Sequence, residues 1–112
     1  MNNYYRRYWK NHPKKSHEFQ ERYRKSQRLI CLIHYGGDPP KCVCCGETNI
    51  LFLTIDHINS SGTEQRRNIG WGTVFYTWLI KNNFPEGYQI MCWNCNCGKQ
   101  MNHGICPHKV VK

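Results

Sequence analysis

The sequence predicts a small α+β fold, a basic N-terminal helix followed by a zinc-stapled hairpin that carries an inserted helix. Three observations predict it. Two Cys-x-x-Cys steps, Cys42/Cys45 and Cys92/Cys95, bracket the apolar stretch Leu51-Phe-Leu-Thr-Ile-Asp56-His57-Ile58. A second short apolar run, Tyr88 to Met91, leads straight into the second step. The positive charge is crowded at one end: residues 1–30 hold nine Lys or Arg against two Glu, a net +7 out of +9 for the chain. At 112 residues the chain is one domain by size, with a core modest enough that a structural metal matters to its stability. Its two parts are a basic segment, 1–37, and a cysteine-rich segment, 38–112.

Taken in order, residues 1–12 read as irregular. Asn11 as N-cap and Pro13 in the first turn open a helix over about 13–34. Phe19, Tyr23, Ile30 and Ile33 form its apolar stripe, and Cys31 beside them is a packing residue. Gly36-Gly37 and Asp38-Pro39-Pro40 stop the helix, which makes 35–41 a linker. The first cysteine knuckle follows, with Gly46 giving the loop its backbone freedom. Alternation from Ile50 to Ile58 predicts a strand burying Leu51, Leu53 and Ile55. Asn59-Ser-Ser-Gly62 is a turn. A helix over about 72–83 follows, with Val74, Phe75, Trp78 and Leu79 on one face. Tyr88 to Met91 is the second strand, and a helix starts near Trp93 and runs past Lys99.

A Cys-x-x-Cys step lets two sulfurs from one turn reach one ion, and zinc takes four ligands in a tetrahedron. Cys42, Cys45, Cys92 and Cys95 supply them, so that Zn²⁺ clamps the two ends of the hairpin. Cys44 and Cys97 lie close enough to leave the register open. His103 and Cys106-Pro107-His108 form a leftover set that suits a second zinc with Cys44 or Cys97, or else a plain tail. The first ten residues are polar and basic with no apolar run after them, and no stretch is long enough to span a membrane. The expectation is a cytosolic protein, where paired cysteines mean metal more often than disulfide.

Clustered charge with Tyr4, Tyr5, Tyr8, Trp9 and Tyr23 interleaved points to a polyanion partner, DNA, bound mainly through its phosphates. Arg22, Arg24, Lys25 and Arg28 on the first helix, with Arg66 and Arg67 after the first strand, are the candidate contacts.

Asp56-His57 at a strand end is the candidate reaction centre. Hydrolysing a phosphodiester takes a base to deprotonate water and a cation to hold the phosphate oxygens. An imidazole suits the first task near neutral pH. A carboxylate and an amide oxygen, Asp56 and Asn96, suit a hard ion such as Mg²⁺ or Mn²⁺. Lys99, one helical turn beyond Cys95, is placed to pair with phosphate.

The set Cys-x-x-Cys-Gly, Asp-His, then Cys-x-x-Cys-Asn-x-x-Lys over residues 42–99 resembles the HNH endonucleases, in particular their four-cysteine, zinc-bound, phage-type members. The resemblance implies a ββα-metal (His-Me finger) core, His57 as general base, Asp56 and Asn96 as ligands of the catalytic ion, and Cys42, Cys45, Cys92 and Cys95 as structural zinc ligands. A phage protein of this kind acts in the cytoplasm of a bacterial host. One position departs: where the family carries its middle Asn, ahead of the third cysteine, this chain has Gly87. The segment 59–86 is also longer than a minimal hairpin needs.

The function expected is a metal-dependent DNA endonuclease leaving 5′-phosphate and 3′-hydroxyl ends. The rivals are a non-catalytic zinc module that binds nucleic acid, a packaging-associated protein keeping the nuclease fold, and a junction-resolving enzyme similar to the endonuclease VII family.

Overall fold

The first helix of the computed structural model begins earlier than the sequence suggests. The structure describes residues 3–59 and 67–109. Within them α1 spans Asn3–Asn11 and α2 spans Pro13–Gly36, separated by His12 in a non-helical conformation. The irregular segment expected at 1–12 is therefore helical over most of its length. Tyr8 and His12 stack one turn apart (centroids 4.2 Å), and the His12 Nδ1–H donates to the Tyr8 carbonyl at 2.8 Å. Pro13 disfavours the α conformation in the residue before it, so the break falls at His12, which replaces Asn11 as the cap of α2.

The sequence stripe on α2 does not form the buried face. Phe19, Tyr23 and Ile30 are exposed, and the buried residues are Cys31 and Leu32. A 24-residue helix is about 36 Å long, and its buried residues fall only in its C-terminal third. Further out, Trp9, Phe19 and Tyr23 merely stack on one another. At the packed end Gly36 is required, because a Cβ there would lie 2.8 Å from Cγ1 of Ile90. Gly37, at φ 93°, turns the chain out of the helix.

A 3-10 turn, Ile50–Phe52, precedes β1, Leu53–His57. The expected strand is shortened by this turn, since the Asn49 side chain accepts from the Leu51 N–H (3.0 Å) and coils the chain. Leu51 is consequently 75% exposed, whereas Leu53 is 1% exposed. After the insert, whose helix α3 is Thr73–Lys81, comes β2, Tyr88–Cys92, and then α4, Trp93–Met101. Val74, expected on the packed face of α3, is exposed; Phe75 and Leu79 are the buried pair. A final 3-10 turn covers Pro107–Lys109.

β1 and β2 pair antiparallel, with Leu53 opposite Cys92, Asp56 opposite Gln89 and His57 opposite Tyr88. Successive side chains of a strand point to opposite faces. Leu53, Ile55, His57, Tyr88 and Ile90 thus face α2 and α3, while Thr54, Asp56 and Gln89 face α4. Leu32 of α2 belongs to the same core cluster as Cys42, Leu53, Ile90, Met91, Cys92, Cys95 and Cys106. A second cluster, Cys31, Phe75 and Leu79, packs between α2 and α3. Four of the eight buried members of the first cluster are cysteines, so this core is built in large part from thiols. No described helix is long and apolar enough to cross a membrane.

Candidate functional site

The two knuckles meet at one end of the hairpin. In the first, the N–H groups of Cys44 and Cys45 point at Cys42 Sγ (3.4 and 3.5 Å). Gly46, at φ 81°, lets its N–H turn back to the Cys42 carbonyl (3.1 Å). The Val43 N–H donates to the Ile90 carbonyl at 2.8 Å, which ties the loop to β2. In the second knuckle Cys92 caps α4, and its sulfur accepts from the Cys95 N–H at 3.5 Å. Cys42, Cys45, Cys92 and Cys95 bring their sulfurs within 4.8 Å of one another. A zinc–sulfur bond of about 2.3 Å makes the edge of a tetrahedral site about 3.8 Å, and Cys45 and Cys92 stand 3.6 Å apart. The cluster is compatible with zinc in both donor type and spacing. Burial opposes ionisation of Cys42, but main-chain N–H groups of Cys45, Cys92 and Cys44 outweigh it and bring its thiol down to about 6. Burial and the surrounding thiols push Cys95 the other way.

A second group lies against the first. Cys44, Cys95, Cys106 and His108 also place their ligand atoms within 4.8 Å of one another. The ambiguity of the sequence thus resolves toward Cys44; Cys97 is exposed and its sulfur touches Met101 Sδ (3.9 Å). His103 is exposed and belongs to neither group.

At the other end of the hairpin Asp56 and His57 part company. Asp56 is 2% exposed and faces α4. Its Oδ2 accepts from Lys99 Nζ at 2.7 Å and from Gln89 Nε2 at 2.8 Å. Lys99, 5% exposed, also donates to the carbonyls of His57 (2.8 Å) and Ile58 (3.3 Å). Its ammonium is spent inside the protein rather than offered outward to a phosphate. Asn96 Nδ2 donates to the Thr54 hydroxyl (2.9 Å), which donates in turn to the Met91 carbonyl (2.7 Å). Gln89 and Thr54 are partners that reading by motif overlooked. Their signal was the period of the strand: a residue opposite Asp56 and a residue two before it share its face.

The chain matches no protein-family model, no curated protein and no solved structure.

His57, half-buried on the opposite face, stacks on Phe75 (5.9 Å, 14° between planes) and meets Tyr88 edge-on (5.1 Å). It lines a cleft of about 730 Å³ together with Arg24, Lys25, Arg28, Trp71 and Trp93. Arg28 is a strut there, its Nη2 donating at 2.6 Å to the carbonyls of both Ile50 and Leu53. Arg24 pairs with Glu21 at 3.0 Å, and that guanidinium holds the Glu21 carboxyl below its ordinary range. Lys25 is exposed. Of the remaining candidate contacts, Arg22 and Arg67 are exposed and do not line the cleft, while Arg66 lies outside the described residues.

Proposed function

We propose that this protein is a DNA endonuclease of the HNH kind, with His57 as the general base of phosphodiester hydrolysis. The observation that carries the reading is the setting of His57: an imidazole held by two aromatic rings in a cleft that also bears Arg24 and Lys25. The succession β1, β2, α4 with a four-cysteine group at its base supports reading this part as a ββα-metal core with structural zinc. Neutral His57 takes a proton from water as the water oxygen attacks phosphorus. The phosphorus–O3′ bond breaks, leaving a 5′-phosphate, and the leaving 3′ oxygen is protonated from solvent. Arg24 and Lys25 hold the phosphate oxygens, and the exposed indoles of Trp71 and Trp93 offer stacking faces for bases. The N-terminal helices extend the positive charge along the DNA backbone.

Asp56 and Asn96 do not fit Mg²⁺ or Mn²⁺ as they stand. Such an ion keeps several waters, and the Asp56 carboxylate is sealed under α4 with Lys99 already in the cation's place. The chemistry above therefore uses no step through a second metal. Plasmid cleavage by wild type and His57→Ala, each with EDTA, Mg²⁺ or Mn²⁺, is the test. Cleavage falls about 10²–10⁴-fold on loss of the base while DNA binding persists; equal rates for both proteins would remove His57 from the mechanism. A preference for branched over linear substrate would mark a junction-resolving enzyme.

One observation favours a second reading, a non-catalytic zinc module that binds nucleic acid. The pleat of β1 separates Asp56 from His57, and an Asp56–Lys99 pair buried in this way needs no substrate to explain it. Under that reading no metal supports cleavage and the His57→Ala variant binds DNA as wild type does.

A further inference from the structure

We propose that the protein holds two metal ions rather than one, with the Cys95 thiolate shared between them. One ion is bound by Cys42, Cys45, Cys92 and Cys95, and the second, also zinc, by Cys44, Cys95, Cys106 and His108.

The two four-ligand groups have a single member in common, Cys95. In the second group His108 Nδ1 stands 3.3 Å from Cys95 Sγ, 3.4 Å from Cys106 Sγ and 3.8 Å from Cys44 Sγ. Cys44 and Cys106 are 3.4 Å apart. These lie within about 0.4 Å of the ligand-to-ligand edges of a tetrahedral Cys₃His site with bonds of about 2.0–2.3 Å.

The C-terminal segment is built to reach this place. Asn102 Nδ2 donates to the Ile105 carbonyl (3.0 Å). The Gly104 N–H returns to the Lys99 carbonyl (2.8 Å), with His103 and Gly104 both at positive φ. The chain so reversed lays Pro107 against Gly98, where a Cβ would sit only 2.8 Å from the proline Cδ. Cys106 ends 3% exposed in the same cluster as Leu53 and Ile90. The turn thereby seats the Cys106 thiol among three other metal-ligating atoms.

Charge permits the sharing. One divalent ion with four thiolates carries −2, and so do two divalent ions with six thiolates and a neutral imidazole. The second ion enters by displacing the protons of Cys44 and Cys106, and adds no net charge to the core. Cys95 suits the bridging role because, from the first turn of α4, its sulfur alone lies within reach of both groups.

The test is metal content, which does not depend on whether the protein cleaves DNA. Native mass spectrometry and elemental analysis of zinc-replete protein should give two zinc ions per chain. The Cys106→Ser/His108→Ala variant should give one and remain folded, because the first group is intact. Cys95→Ser should lose both ions, and since it is liable to unfold, the tail variant decides the count. In protein loaded with ¹¹³Cd, the shared sulfur should couple the two cadmium resonances. One ion per chain in wild type, with Cys44 and Cys106 open to alkylation or joined as a disulfide, would overturn the proposal. Two uncoupled cadmium resonances would overturn the bridge.

Discussion

Asp56→Ala separates a buttress from a metal ligand. In the wild type Lys99 has three oxygen partners, the Asp56 carboxylate at 2.7 Å and the His57 and Ile58 carbonyls. The side chains of the pair are 1% and 6% exposed, so neither ion is appreciably hydrated. Removing the carboxylate leaves the ammonium buried on two neutral carbonyls and takes from the Gln89 amide its oxygen partner, leaving it the Met91 sulfur at 3.7 Å. Breaking a buried pair from one side costs about 3–5 kcal/mol, a large share of the roughly 5–15 kcal/mol that holds a domain together. Replacing both partners by apolar residues of similar size, Asp56→Leu with Lys99→Met, should recover most of the loss, since no charge is left unpaired. Urea unfolding followed by tryptophan fluorescence, at fixed protein concentration and saturating zinc, measures all three proteins. A loss under about 1 kcal/mol for Asp56→Ala, or a double variant no better than the single one, would refute the buttress. Asp56 would then be free to serve a catalytic ion, and its effect should fall on cleavage instead.

Other outcomes follow from the same geometry. Changing Arg24 and Lys25 to Gln should weaken binding to all DNA sequences alike and reduce the salt slope of log K by about 2; fluorescence anisotropy across a salt series checks this. Cys92→Ser should unfold or aggregate the protein, because it removes a member of the four-cysteine group, the cap of α4 and a core side chain together; circular dichroism with a zinc titration reads the result. Leu53→Ala should cost about 2–5 kcal/mol and Leu51→Ala under about 0.5 kcal/mol, a contrast that urea midpoints resolve and that a continuous strand from Ile50 would not produce.

What the sequence makes legible is whatever depends on short spacings. The Cys-x-x-Cys steps, the two strands and the helix after Cys92 could be placed because each is encoded within a few residues. Side-chain capping was harder: Asn49 bends the chain at Leu51, and nothing in the apolar pattern announces it. The stripe Phe19, Tyr23, Ile30, Ile33 has helical spacing, but whether a stripe is buried depends on how far the partner elements extend, and they bury only the end of α2. Asp56 and His57 are neighbours in a motif and opposites in a strand; the period of two was there to be read, and functional grouping hid it. The return of Cys106 and His108 to Cys44 and Cys95 rests on a turn at 102–105 and on the missing side chain of Gly98, both invisible until the partner helix is placed.

The hairpin keeps its two candidate sites apart and joins them through one helix. Leu53 pairs with Cys92 at the cysteine end, and His57 pairs with Tyr88 at the other. Four residue steps of about 3.3 Å each separate these ends, so no ion on the cysteines touches His57 directly. The connection runs along α4, whose buried residues are Cys95 and Lys99. These lie four apart and therefore on the same helical face. The first turn of α4 is anchored by sulfur, and the next by Lys99, whose ammonium grips Asp56 and the two carbonyls that end β1. Loss of metal would loosen the first anchor and leave the second to hold α4 alone, against a core half made of cysteines. With an ion on the four-cysteine group, the seating of this helix would link that ion to the position of His57 in its cleft.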